Sequence, residues 1–266
     1  MKQKILSFLV LFMLSVASFA QNGTMTYPYT ADRPGYSNSP YLVGLHQLAI
    51  ESGFGCNLTE TPTSKTFYNQ NLFRYGMFKH LEFRAQIDFG ATSSDTSFYG
   101  VKTINLGFKI PIIRGYKYLP DIGILGTVAL PKVGNLLYSS SDYTPALTLL
   151  LQKNFSNFSL GCNAGVFWDS HTIYEDSPFI NPYSTGHYIQ GSFSLIASYA
   201  IQNVSIFAES YEFYSVKTNP YIAFDMGFAY SILPKLQFDI SVGSNLKLDN
   251  SFVAIGIAWR IPNKYR

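Results

Sequence analysis

From Leu81 to Phe89 the chain alternates without a break. Leu81, Phe83, Ala85, Ile87 and Phe89 are apolar, and Glu82, Arg84, Gln86 and Asp88 between them are polar or charged. Residues two apart share one face of a strand, so this run predicts a strand with one oily and one ionic face. The pattern returns in Ile104, Leu106, Phe108 and Ile110 against Thr103, Asn105, Gly107 and Lys109, and in Leu236, Phe238, Ile240 and Val242 against Gln237, Asp239, Ser241 and Gly243. Three more runs, Phe158 to Trp168, Ile222 to Tyr230 and Val253 to Ile261, alternate large apolar residues with mostly Gly, Ala, Ser and Asn. Such runs match the roughly 9 to 11 residues of a tilted membrane strand and exceed the five or six usual in soluble sheets.

Weaker runs complete the set: His46 to Phe54, Thr66 to Tyr75, Ile122 to Leu130, Tyr143 to Lys153, Tyr188 to Tyr199 and Val204 to Tyr214. In Thr66 to Tyr75 the alternation does not separate two faces. Near Glu209 and Glu212 it slips by one residue, which reads as a β-bulge. The total is about twelve strands, an even number as in bacterial outer-membrane barrels. Connections alternate in length, short at Met77 to His80, Asn154 to Asn157, Ala200 to Asn203 and Leu233 to Lys235, and longer at Gly55 to Lys65, Gly90 to Gly100, Pro131 to Asp142, Asp169 to His187 and Gly243 to Asn250. Barrels carry short turns on the periplasmic side and long loops outside, so both termini are expected in the periplasm. The Pro111 to Pro120 turn is long for its side, and Ser215 to Pro220 is short for an outer loop.

Composition sharpens this picture. Only 13% of residues are charged, against about 25% in soluble domains. Aromatic residues make up 17%, with 22 Phe and 20 Tyr, and they gather near strand ends at Tyr75, Phe89, Trp168, Tyr199, Tyr214 and Trp259, where headgroups favour amphipathic rings. A soluble β-sandwich also holds Phe and Tyr, but it would turn Lys and Glu to water, whereas here the second face is mostly Gly, Ser, Ala and Asn. The net charge is +3 with no basic run, so nucleic acid is not an expected partner. Lys2, Lys4, the apolar stretch Ile5 to Val16 and Ser18-Phe19-Ala20 read as a secretory signal covering residues 1–20. Beyond it no apolar run reaches the length of a membrane helix. Cys56 and Cys162 are far apart and lack metal-like spacing.

Candidate chemistry then concentrates on the polar faces. If the apolar faces meet lipid, Glu51, Glu82, Arg84, Asp88, Lys109, Asp225, Asp239 and Arg260 all face a lumen, because charge in mid-bilayer costs about 2 to 4 kcal/mol. Two readings stay open: the charges pair across a narrow lumen and close it, or they line a path on which Arg84 and Arg260 meet an anionic or phenolic solute. Residues 21–44 precede the first strand as a periplasmic segment. They either enter the lumen as a plug, with Asp32 and Arg33 bonded to barrel charges, or hang free as a tail. A membrane-edge lipid hydrolase is the rival class, but His46, His80, His171 and His187 have no Ser two residues away on the same strand face. Asp169, His171, Glu175, Asp176 and His187 share the longest loop, where a solvated loop is favoured over a metal site. No catalytic residue, metal ligand or cofactor motif is assigned.

Asp32-Arg33-Pro34-Gly35-Tyr36-Ser37, Gln47 to Phe54, Asn71-Leu72-Phe73-Arg74-Tyr75-Gly76, Leu81-Glu82-Phe83-Arg84 and the closing strands Asp225 to Tyr230, Leu236 to Gly243 and Val253 to Trp259 carry a resemblance. From about Asp32 onward the chain resembles the MetA-pathway phenol-degradation family of outer-membrane β-barrel transporters. The resemblance implies a barrel that passes small, often aromatic, molecules. The tail Pro262-Asn263-Lys264-Tyr265-Arg266 departs from the usual terminal aromatic of such barrels.

The expectation is therefore an all-β, up-and-down, antiparallel transmembrane barrel spanning residues 45–266 of the Gram-negative outer membrane. It would act as a passive pore for small, possibly aromatic or hydrophobic, molecules. Its partners would be outer-membrane lipid, a small solute and the barrel assembly machinery. A structural or adhesin-like barrel without transport is the alternative.

Overall fold

The computed structural model describes residues 31–59, 64–93, 97–135, 138, 140, 142–169, 188–215, 218–245 and 250–261. Twelve strands follow one another: β1 Leu48–Thr59, β2 Ser64–Phe78, β3 Leu81–Ser93, β4 Phe98–Ile113, β5 Asp121–Ala129, β6 Thr144–Phe155, β7 Phe158–Asp169, β8 Tyr188–Ile201, β9 Val204–Ser215, β10 Thr218–Leu233, β11 Leu236–Asn245 and β12 Asn250–Ile261. Each pairs antiparallel with its neighbours in sequence, and β1 pairs with β12 from Leu48↔Ile261 to Thr59↔Asn250, so the sheet closes on itself without an edge. Closure satisfies every ladder, which a membrane demands of any backbone it surrounds.

Period two decides which side is which. The residues most removed from contact are ionic: Glu51, Arg74, Glu82 and Lys109 are all at 0% exposure. Large apolar side chains are the exposed ones, with Phe54 at 62%, Met226 at 60% and Ile255 at 57%. This inverts the arrangement of a water-soluble domain, where charges are almost never fully buried and oily groups fill the centre. Among the described residues the buried apolar groups are few, chiefly alanines with Leu125 and Leu150, and one small cluster gathers Val43, Ala49 and Ala258 with Ala31 against them. Hydrocarbon must bathe the outer wall, so the barrel spans a membrane.

Two local readings of the sequence are corrected, and the faces of β2, left open there, are assigned. β9 carries no bulge near Glu209 and Glu212: it pairs in unbroken register with β8 from Gln190↔Ser215 to Ile201↔Val204 and with β10 from Tyr221↔Phe213 to Tyr230↔Val204. The apparent slip arises because Tyr211 and Phe213 share the inward face with Glu209, while Ser210 and Glu212 take the outward one. A register shift lies instead between Asp88 and Phe89 against β4, where one extra residue turns Lys102 inward. The Pro111 to Pro120 turn begins later than expected, because β4 continues through Pro111 to Ile113, and from Arg114 to Pro120 it remains long for its side. In β2 both faces are polar, which explains why alternation could not sort them. Arg74 and Gly76 face in, while Asn69 and Asn71 sit on the outer face, where Asn71 Nδ2 donates to Asn69 Oδ1 at 2.5 Å and Ser52 Oγ donates to Asn71 Oδ1 at 2.8 Å.

Short turns lie at the end where Leu48 and Ile261 meet and longer connections at the other, except that Arg114 to Pro120 is long for the first end and only two residues join β9 to β10 at the second. The signal sequence, residues 21–30, the loop bearing His171, Glu175, Asp176 and His187, and the tail 262–266 lie outside the described residues.

Candidate functional site

Residues 31–44 run inside the barrel and touch its wall at many points. Asp32 is the hub. Its carboxylate pairs with Lys109 Nζ at 2.6 Å, with Arg74 at 3.5 Å and with Arg84. Arg74 in turn spans Glu51 at 2.8 Å and Glu82 at 2.9 Å, and it donates to the carbonyl of Tyr41 at 3.0 Å. The carboxylates also hold the segment's backbone: the N–H of Asp32 and that of Arg33 donate to Glu51 at 3.0 and 3.1 Å, and the N–H of Val43 donates to Glu82 at 2.8 Å. Asp32, Glu51 and Glu82 thus balance Arg74, Arg84 and Lys109. Burial alone would raise the Asp32 pKa, but the charges of Arg74, Lys109 and Arg84 outweigh it and hold the group far below the usual carboxylate range.

Arg33 reaches Asp239 at 3.2 Å, with its guanidinium lying flat against Gly53 and Gly256. A Cβ at either glycine would come within 2.1 or 2.4 Å of that guanidinium, so only Gly permits the approach. Further along, Glu209 accepts from the N–H of Tyr36 at 2.8 Å, the N–H of Ser37 at 2.7 Å and the Ser37 hydroxyl. Tyr36 stacks on Tyr211 with centroids 4.9 Å apart. On the opposite wall the contacts of Ser37 and Asn38 are uncharged. Ser37 Oγ lies 2.6 Å from Ser194 Oγ, Asn163 Oδ1 accepts from the N–H of Asn38 at 3.2 Å, and Asn163 Nδ2 donates to the carbonyl of Asn38 at 2.9 Å. Nearer the short-turn end, Tyr41 OH donates to Asp121 at 2.7 Å and accepts from Asn154 at 2.6 Å; burial first and then Asp121 push that hydroxyl's pKa up.

Of the eight lumen candidates, Glu51, Glu82, Arg84, Lys109 and Asp239 meet the segment directly. Asp88 stands apart, held by Gln86 at 2.8 Å, and Asp225 lies beside Glu209. Arg260 sits at the short-turn mouth and donates to the carbonyl of Pro234 at 3.3 Å. Sequence reasoning missed Arg74, Glu209 and Lys102. For Arg74 period two offered no signal, because both faces of β2 carry polar residues.

Space remains on both sides of the segment. A cavity of about 660 Å³ opens at the short-turn end, lined by Tyr41, Gln152, Asn154, Ser198 and Gln237. Toward the long-loop end lie one of about 250 Å³, lined by Tyr36, Asn38, Thr127, Asn163 and Phe167, and one of about 280 Å³ beside Tyr68, Asp88, Lys102 and Asp225. Among the described residues no group of His, Cys, Asp and Glu is arranged to hold a metal ion, and Cys56 and Cys162 are free thiols.

A family model described as "Putative MetA-pathway of phenol degradation" matches residues 31–261. The chain belongs to that family. The match begins within the segment and ends with β12, so in this member of the family the lumen segment falls inside the matched region. No curated protein matches the sequence. Among solved structures, the outer-membrane channel from Pseudomonas putida F1 superposes with a TM-score of 0.63 at 14% identity, covering 82% of this chain and 97% of that one. The NanC porin follows with a TM-score of 0.59 at 7% identity, covering 80% and 100%, and the KdgM porin with 0.52 at 8% identity, covering 79% and 98%. At such identities the likeness is one of fold, and the fold is that of outer-membrane barrels.

Proposed function

We propose that the chain is a passive pore of the Gram-negative outer membrane, put in place by the barrel assembly machinery, whose lumen is plugged by its own residues 31–44. The observation that carries this reading is the position of the segment, with open cavities on either side and an ion-pair hub in between. A wall built only for support has no use for open space at both ends of a polar lumen. The fold shared with a channel and two porins supports a pore over an enzyme. His46 and His80, the described histidines, lie at the short-turn end.

The density of ion pairs favours one rival, a barrel closed for good. The two readings part in a liposome-swelling assay of the full chain against the chain lacking residues 31–44. A plugged pore gives slow entry of small sugars in the full chain and fast entry in the deletion. No entry in either, with both proteins folded, would leave a purely structural barrel.

A further inference from the structure

The lumen wall is not uniform around its circumference. Inward positions of β5 to β8 are occupied by residues such as Thr127, Thr148, Gln152, Ser159, Asn163 and Ser198, and among the described side chains the only charge there is Asp121 at the mouth. The cavities of about 250 and 660 Å³ border this neutral wall on either side of the segment, and Asn38 lines both; across from the wall the smaller also meets Arg84, and the larger meets Asp32 and Arg33 of the segment and, toward the mouth, Arg114, Asp121 and Arg260. What separates them is the neutral seam of Ser37 on Ser194 and Asn38 on Asn163. On the far side the same segment is held by Asp32 and Arg33 through ion pairs. A neutral hydrogen bond contributes little net, and removing a member of a buried ion pair costs several times as much, so the seam yields first.

Resting on the pore reading above, we infer that solute passes along β5 to β8 through the strait between Asn38 and the pair Asn163 and Ser194, and that this strait selects an uncharged, hydroxyl-rich molecule such as a small sugar or polyol. A carboxamide offers two donors and an acceptor, and a serine hydroxyl offers both roles. Sugar hydroxyls can replace the seam's own bonds one for one as the molecule slides through. An ion would shed water with no free counter-charge on this wall, since Arg84, the nearest cation, is committed to Asp32 and to Asn38 Oδ1 at 3.1 Å. A molecule without hydroxyls would leave the amides unpaired, and sites built to bond a hydroxyl reject such analogues strongly. Above the strait, the rings of Tyr36 and Phe167 offer an apolar surface for the C–H face of a sugar ring.

The test compares three solutes of one skeleton, glucose, gluconate and protonated glucosamine, in proteoliposome uptake. Glucose should enter at least about tenfold faster than either ion, the consequence of an uncompensated charge in a narrow polar strait. Asn163→Ala and, as a second variant with its own fold check by heat-modifiable gel mobility, Ser194→Ala should speed glucose entry. Asn163→Asp should turn preference toward glucosamine. Equal rates for the three solutes, a preference for either ion in the wild type, or Asn163 and Ser194 variants indistinguishable from wild type would overturn the inference. If the chain lacking 31–44 also admits none of the three, the pore reading itself fails; if it admits them while the wild-type order differs from that stated, only the inference does.

Discussion

The lumen has two half-walls that do opposite work. One, formed by β1 to β4 and β9 to β12, carries Glu51, Arg74, Glu82, Arg84, Asp88, Lys102, Lys109, Glu209, Asp225 and Asp239 on its inner face. The other, β5 to β8, presents mostly serine, threonine, asparagine, glutamine, glycine and alanine, with Leu125, Leu150, Ile196 and Phe167 among them and Asp121 at the mouth. Residues 31–44 touch both, through ion pairs on the first and, apart from Tyr41 on Asp121 at the mouth, neutral bonds on the second. The contrast teaches that a lumen can be held and left passable at once. Charge fixes the segment to one side, and the absence of charge on the other leaves a seam with little to break.

The largest expected effect lies on the charged side. Arg74→Ala strips Glu51 and Glu82 of their shared partner and should lower stability by about 3 to 5 kcal/mol, read by urea unfolding in detergent. Gly53→Ala drives a methyl into the Arg33 guanidinium and should cost about 1 to 3 kcal/mol, with leak conductance rising as Arg33 leaves Asp239. On the neutral wall Ser159→Ala, which loses a 2.6 Å bond to Ser198, should cost only about 0.5 to 1.5 kcal/mol. A Ser159 variant as damaging as the Arg74 variant would erase the distinction between the two walls.

A pH titration sharpens the same comparison. The Asp32 pKa is depressed in the folded state, so its contribution is fully present above the ordinary aspartate value near about 3.9 and is lost only as pH falls through the depressed one. Arg74, Arg84 and Lys109 face it as cations, with Glu51 and Glu82 behind them. Protection of the segment from added protease should therefore persist from pH 7 to about 4 in the wild type. In Asp32→Asn it should be weaker throughout that range.

Much of this was legible in the chain. The alternation of Leu81 to Phe89 names both the strand and its faces, and a charge on such a strand has only one side to occupy, which is why Glu82, Arg84 and Lys109 could be placed before any coordinates. What escaped did so for local reasons. β2 bears amides on its outer face at Asn69 and Asn71, so period two is silent there and Arg74 could not be oriented. In β9 aromatic and acidic residues share the inner face, and hydrophobicity alone cannot tell a lumen-facing Tyr211 from a lipid-facing Tyr214. The division into charged and neutral halves was written in the strands throughout. It gains meaning only once closure puts β5 to β8 opposite the segment's ion pairs, a relation between distant residues that no local pattern contains.

The central claim, that residues 31–44 close the lumen and that opening happens at the neutral seam, can be tested by tethering. Ser37 Oγ and Ser194 Oγ lie 2.6 Å apart, near the S–S length of about 2.0 Å, and Cys56 and Cys162 both sit on the outer face. The double variant Ser37→Cys with Ser194→Cys should lose glucose uptake into proteoliposomes when oxidised and regain the wild-type level on reduction. Oxidised protein that takes up glucose as fast as the wild type would contradict the account.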